Sequence, residues 1–191
     1  FPLLPRLSGD TPARFDLRLN VNLMQGAEIL KEQERHVEAS LLYALTMTTE
    51  EIVSFYTSRE ASIASQIERV ETFITNQGRR IPPRRLSALK ETINQLAMKV
   101  TSARSHLKLA QSTPSFTTIL RWRKSDNFQA CKREWESFWA FYWLYQDFPE
   151  HEMVENFLYA AFASANTVKF RDKSIELGEA YLKNTKLNNF R

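Results

Sequence analysis

Between Leu86 and Ala110 the residues Leu86, Leu89, Ile93, Leu96, Val100, Ala103, Leu107 and Ala110 alternate steps of three and four without a miss. That spacing draws one apolar seam along a helix, and a seam so long needs a second helix to cover it. The candidate lies just before it. Thr48 and Glu51 stand at capping-box spacing, and Val53, Tyr56, Ile63, Ile67, Val70 and Ile74 then recur at helical steps. Glu60 falls where an apolar residue was due. Gly78 and Pro82-Pro83 divide the two segments, as Gly past a helix end and Pro at the next start commonly do. Matched lengths and a short turn predict a long antiparallel helical hairpin, about 50–77 against 84–110. The same stripes would also suit two core helices of a compact bundle.

Elsewhere the chain also reads as helical. Residues 1–18, with Pro2, Pro5, Gly9 and Pro12, predict an extended N-terminal arm. Residues 19–191 read as one α-helical domain, with a sub-division near 112–115. Helices are expected over about 20–45, 116–124, 127–145, 150–168 and 172–183. Four Gly and seven Pro in 191 residues give too little turn punctuation for a strand-rich fold. The expected class is an all-α helical bundle with an aromatic-rich C-terminal part. The ending IELGEAYLKNTKL, with Gly178 and Tyr181, resembles helical-repeat units of the tetratricopeptide kind, yet the sequence offers no second copy at a fixed period.

The aromatic part centres on ESFWAFYWLYQDF, residues 136–148, with no Lys or Arg between Glu134 and Val168. On a helix, Trp135, Phe138, Trp139 and Tyr142 share a face, while Phe141, Trp143 and Tyr145 lie elsewhere around the axis. A helix apolar nearly all round must be enclosed by its own fold or by a partner. Trp135, Trp139, Tyr142, Trp143 and Tyr145 are therefore the candidate partner-interface residues. The acidic flanks Glu134, Glu136, Asp147, Glu150, Glu152 and Glu155 disfavour contact with an anionic membrane surface.

The net charge of +4 hides a segregation. Residues 79–133 hold thirteen Lys/Arg against two acids, whereas 28–78 hold four against nine and 134–168 hold six acids alone. Arg79, Arg80, Arg84, Arg85, Arg121, Arg123 and Lys124 are candidates for binding a polyanion such as RNA or a phosphate-rich ligand. Internal complementarity is the competing reading, the basic third helix lying beside acidic neighbours. Glu51-Ile52-Val53-Ser54-Phe55-Tyr56 with Arg59-Glu60, and Phe116-x-x-Ile119-Leu120-Arg121, resemble stretches of SPX domains. That resemblance implies inositol-polyphosphate binding through lysines. Here Thr118 occupies the place of one such lysine, and the family's lysine-bearing N-terminal segment is missing.

No catalytic constellation is legible. His36, His106 and His151 fit no metal-ligand spacing, and no Gly-rich phosphate loop or Gly-x-Ser-x-Gly elbow occurs. His151 and Glu155, four apart, suggest solvent and capping contacts. No cofactor or metal is expected, and no run of about 18 apolar residues offers a membrane span. The expected function is a non-catalytic α-helical subunit or adaptor docking onto proteins in a larger assembly. Polyanion binding is the first alternative and lipid or apolar-ligand binding the second. The single cysteine, Cys131, and the lack of Asn-x-Ser/Thr fit a reducing compartment, with a mitochondrial-type matrix reached after loss of a targeting segment as the expectation. Secretion stays open.

Overall fold

The computed structural model describes residues 13–183, without the side chain of Arg79, and all regular structure over that range is helical. A 3-10 turn at Ala13–Phe15 precedes α1 (Leu17–Glu32) and α2 (His36–Leu45). Then come α3 (Thr49–Gln77), a 3-10 turn at Gly78–Arg80 and α4 (Pro83–Ser112). The chain continues through α5 (Thr117–Ala130), α6 (Glu134–Asp147), α7 (Val154–Thr167) and α8 (Arg171–Lys183). Contacts gather into two compact units. One comprises the described residues up to Leu17 together with Thr49–Ser115; the other comprises Arg18–Thr48 and the described residues from Phe116 onward.

The first unit is the long antiparallel hairpin. Its helices run 29 and 30 residues, about 44 Å at helical rise. Gly78, at φ 45°, supplies the left-handed backbone that ends α3, and Pro83 opens α4 in its first turn, where no backbone donor is needed. Burial is confined to one end. Ile52, Tyr56 and Ile63 of α3 and Val100, Ala103 and Ala110 of α4 are buried, while Ile67, Val70, Ile74, Leu86, Leu89, Ile93 and Leu96 towards the turn are only half-buried. Two helices alone cannot close a seam on both sides. The irregular Glu60 has a structural use, since it accepts a 2.7 Å ion pair from Arg104 across the hairpin. Ala13–Phe15 is a docked 3-10 turn and α1 starts at Leu17, so 13–18 are not an extended arm. Phe15 stacks flat on Phe55 at 3.8 Å, with Arg14 and Arg59 over the two outer ring faces. The rest of the arm, 1–12, lies outside the described residues.

The second unit is a repeat that the sequence concealed. The helix expected over 20–45 is broken at Glu34, and the break expected near Ser125 falls instead at Lys132. Glu34, Lys132 and Lys169 all adopt φ of 58–59°. Each closes the same turn. Glu34 N–H donates to Lys31 and Arg35 N–H to Leu30; Lys132 donates to Gln129 and Arg133 to Phe128; Lys169 donates to Asn166 and Phe170 to Ala165. This paired pattern is the Schellman ending, which usually places Gly or Asn in the left-handed position. A side chain there accepts strain for which only the surrounding packing compensates.

Three helical pairs result: α1–α2, α5–α6 and α7–α8. From the second pair to the third, both helix starts and the turn residue shift by the same 37 positions. The first and second pairs match at a shift of 98, of which 67 positions are the hairpin segment Thr49–Ser115. At that shift Arg35 and Glu38 recur as Arg133 and Glu136, forming the same surface pair at 3.2 and 3.1 Å. Buried Ala39 and Tyr43 recur as buried Ser137 and Phe141. Buried Ser137 and Leu144 recur once more, 37 residues on, as buried Ser174 and Tyr181. Gly26 in α1 is the close-approach position of the first pair, because a Cβ there would meet Leu42 at 3.2 Å.

The second helix of one pair packs on the first helix of the next, α2 on α5 and α6 on α7, and the first helices and the second helices form two layers in lighter contact. First helices meet one another, through Glu28 to Arg123, Lys31 to Asp126 and the rings of Trp122 and Phe157. Second helices meet as well, Lys173 of α8 lying 4.9 Å over the ring of Tyr142 in α6. Between the layers sits the core of Phe138, Phe141, Leu144, Phe157, Leu158, Ala161, Ala165 and Leu177, each 2% exposed or less. Fully burying one such large side chain contributes about 1.5–3 kcal/mol.

Candidate protein-docking surface

Burial splits the aromatic helix α6 differently from the helical-wheel expectation. Phe138, Phe141 and Leu144 enter the core, whereas Trp135, Trp139 and Trp143 stand outside at 50%, 40% and 51% exposure. Trp143 thus joins Trp135 and Trp139 in one row at steps of four, and Phe138 leaves that face. Tyr142 and Tyr145 are half-buried and pack against the core. Trp139 and Trp143 lie with ring centroids 6.5 Å apart and planes 26° from parallel, and Tyr142 sets its edge against both. Phe170, in the turn before α8, supports Trp135 at 5.8 Å and Trp139 at 6.3 Å. The row is therefore rigid, each indole braced by a ring behind it.

The repeat assigns this row a counterpart. Shifted by 98 positions, Trp135, Trp139 and Trp143 become Val37, Leu41 and Leu45 of α2, which are 68%, 62% and 60% exposed. The outer face of the second helix is thus apolar in the first and second pairs. In the third the corresponding residues are Asp172, Glu176 and Ala180, and the pattern stops. With a single helix expected over 20–45, Val37, Leu41 and Leu45 were not set apart from its other apolar residues. The missed signal was the shared Arg-x-x-Glu that opens α2 and α6.

The basic candidates fall into two groups. Arg121 pairs with Asp147 at 2.8 Å and covers the ring of Phe148, and Arg123 pairs with Glu28 at 3.5 Å. Lys124 is half-buried. All three belong to the array. Arg79, Arg80, Arg84 and Arg85 belong to the hairpin turn, where Arg80, Arg84 and Arg85 are exposed.

Several interior polar groups tie helices together. Glu155, expected at the surface, is buried and accepts a 2.9 Å hydrogen bond from Tyr181, tying α7 to α8, while His151 Nδ1 accepts from Met153 N–H at the start of α7. Tyr43 donates to Glu28; burial, then that carboxylate, raise its phenol well above the ordinary value. Asn127 donates to the His36 carbonyl and to Ser40, and Ser40 also approaches Cys131 at 3.6 Å. Among the described residues no group of three or more His, Cys, Asp or Glu could hold a metal ion, and no helix is long and apolar enough to cross a membrane. A shallow cleft of about 420 Å³ at the hairpin base is lined by Thr49, Val53, Ser54, Ala110, Gln111 and Thr113. No family model, curated protein or solved structure matches the chain.

Proposed function

We propose that the chain is a non-catalytic helical adaptor or complex subunit that docks another protein on the outer face of α6, with the α2 row as the matching extension. One observation carries this reading: three tryptophans braced from behind, about half exposed, at positions where the first pair is also apolar. Rigid aromatic anchors held out of the core are the residue type that dominates binding energy when a partner covers them. Monomers seldom leave such continuous apolar surface uncovered. Glu134 at the start of α6 and the absence of Lys or Arg from the helix disfavour an anionic lipid surface.

The test is co-purification from the native source with the wild-type chain and with a Trp139→Ser, Trp143→Ser double variant. Because each indole is about half in water, the variant should keep its helicity and lose about 2–3 kcal/mol of stability. The partner held by the wild type should be released, with affinity down roughly 30-fold or more. A partner retained by the double variant contradicts the reading. So does collapse of the fold, which would make the row part of the core.

A further inference from the structure

The cations read from the sequence as one group divide by whether a carboxylate answers them. Arg121 and Arg123 each meet one within their own unit, as does Arg104 in α4, while Lys124 is half-buried in the array. At the hairpin turn the situation differs. From Glu71 to Glu91 the sequence holds Arg79, Arg80, Arg84, Arg85 and Lys90, with no Asp or Glu between. Among the described residues no ion pair reaches Arg80, Arg84 or Arg85; Arg85 lies 5.7 Å over the ring of Phe73. Internal complementarity therefore accounts for the base of the hairpin and not for its turn.

Helix stability does not account for the turn either. Arg84 and Arg85 follow Pro83 in the first turn of α4, which carries no acidic residue. A helix start is the positive end of its dipole, so cations are disfavoured there. Two arginines in that place act against the fold that presents them. Pro82 and Pro83 restrict the backbone, and the Pro82 carbonyl accepts from Leu86 N–H at 3.0 Å. The half-buried seam of α3 and α4 carries this cluster about 40 Å from the hairpin base.

We propose that the hairpin turn is a finger for the phosphate backbone of nucleic acid, with Arg80, Arg84 and Arg85 as its contacts. The proposal is independent of the docking surface on α6. Guanidinium groups make forked, paired hydrogen bonds to phosphate oxygens, which suits arginine here over lysine. An anionic bilayer is the poorer fit, because a membrane-seeking turn carries exposed apolar wedges beside its cations. Here Ile81 is half-buried, and the one large exposed apolar side chain nearby, Phe73 at 37%, has the Arg85 guanidinium 5.7 Å over its ring.

The experiment is fluorescence anisotropy of the full chain with short labelled RNA of mixed sequence, single-stranded and duplex, across a salt series. Three contacts predict about three released counterions and a roughly 40-fold loss of duplex affinity for a fourfold rise in salt. The triple variant Arg80→Gln, Arg84→Gln, Arg85→Gln should lose more than tenfold of the low-salt affinity and most of the slope. The corresponding Arg→Lys variant should keep the slope, and Arg121→Gln should match the wild type. The Gln variant should melt no earlier than the wild type, since it relieves charge at a helix start. The proposal is overturned if the chain does not bind RNA at low salt, or if the Gln variant binds with unchanged slope. It is equally overturned if phosphatidylcholine–phosphatidylserine vesicles compete better than RNA, or if the Gln variant melts earlier, which would make the arginines structural.

Discussion

The hairpin and the array are built from the same material and solve burial in opposite ways. In α3 and α4 a regular seam meets only its mirror, and water reaches both edges, so full burial is confined to the base around Ile52, Tyr56, Val100 and Ala103. In the array each interior helix is covered by neighbours in its own layer and in the other. Phe138, Phe141, Phe157 and Leu158 accordingly lose nearly all exposure although their sequence is less regular. Regularity of pattern and depth of burial are separate properties. The first identifies a helix; the second depends on how many elements converge on it.

The largest effect should come from the array core. Phe157→Ala, at a site with no exposure, should cost about 3–5 kcal/mol in urea unfolding. Ile93→Ala in the half-buried hairpin seam should cost about 1 kcal/mol. Equal costs at the two sites would erase the distinction.

Tyr181→Phe comes next. It leaves the buried Glu155 carboxylate without its 2.9 Å donor, and the expected loss is about 1–3 kcal/mol, read by the same titration. A neutral result would mean that this hydrogen bond contributes nothing to holding α7 and α8 together.

A smaller effect follows alkaline pH. Burial and the Glu28 carboxylate raise the Tyr43 phenol in the folded array above its unfolded value near 10. Stability from that shift is complete below about pH 10 and drains away as pH climbs beyond it, because the unfolded chain releases the proton first. Tyr43→Phe should flatten melting temperature against pH above about pH 10. An unchanged alkaline limb would place the sensitive group elsewhere.

The smallest effect should come from the largest deletion. α2 and α5 run antiparallel, with Asn127 near the end of α5 bonded to His36 at the start of α2. Their other ends are thus the ones joined through Thr49–Ser115. Replacing that segment by a short flexible linker should leave an array that still unfolds cooperatively, with melting lowered by less than Phe157→Ala lowers it. Loss of cooperativity would show the hairpin to be part of the array's folding unit.

The sequence was most readable where one face repeats without interruption. The hairpin, its glycine–proline turn and the all-α class follow from the seam at Leu86–Ala110 and from sparse Gly. The three pairs were hidden for two reasons. The left-handed turn positions of the first two hold Glu34 and Lys132 instead of Gly, so no residue marked those breaks, whereas the break at Lys169 falls between the helices expected over 150–168 and 172–183. Their matching core positions also differ in identity, Ala39 against Ser137 and Tyr43 against Phe141, because layer packing constrains size and polarity loosely. The aromatic cluster was visible; which of its rings would face water was not. That division depends on Phe170 and Lys173, contributed from the next pair.

Hydrogen exchange on the complex recovered from the native source tests the central claim most directly, because it maps where a partner sits without presuming its identity. Docking on the outer face of the second helices predicts added protection in 134–147 and, more weakly, in 36–45, with 64–99 of the hairpin unchanged. Protection confined to the hairpin, or a recovered complex with α6 as open as in the free chain, would contradict it.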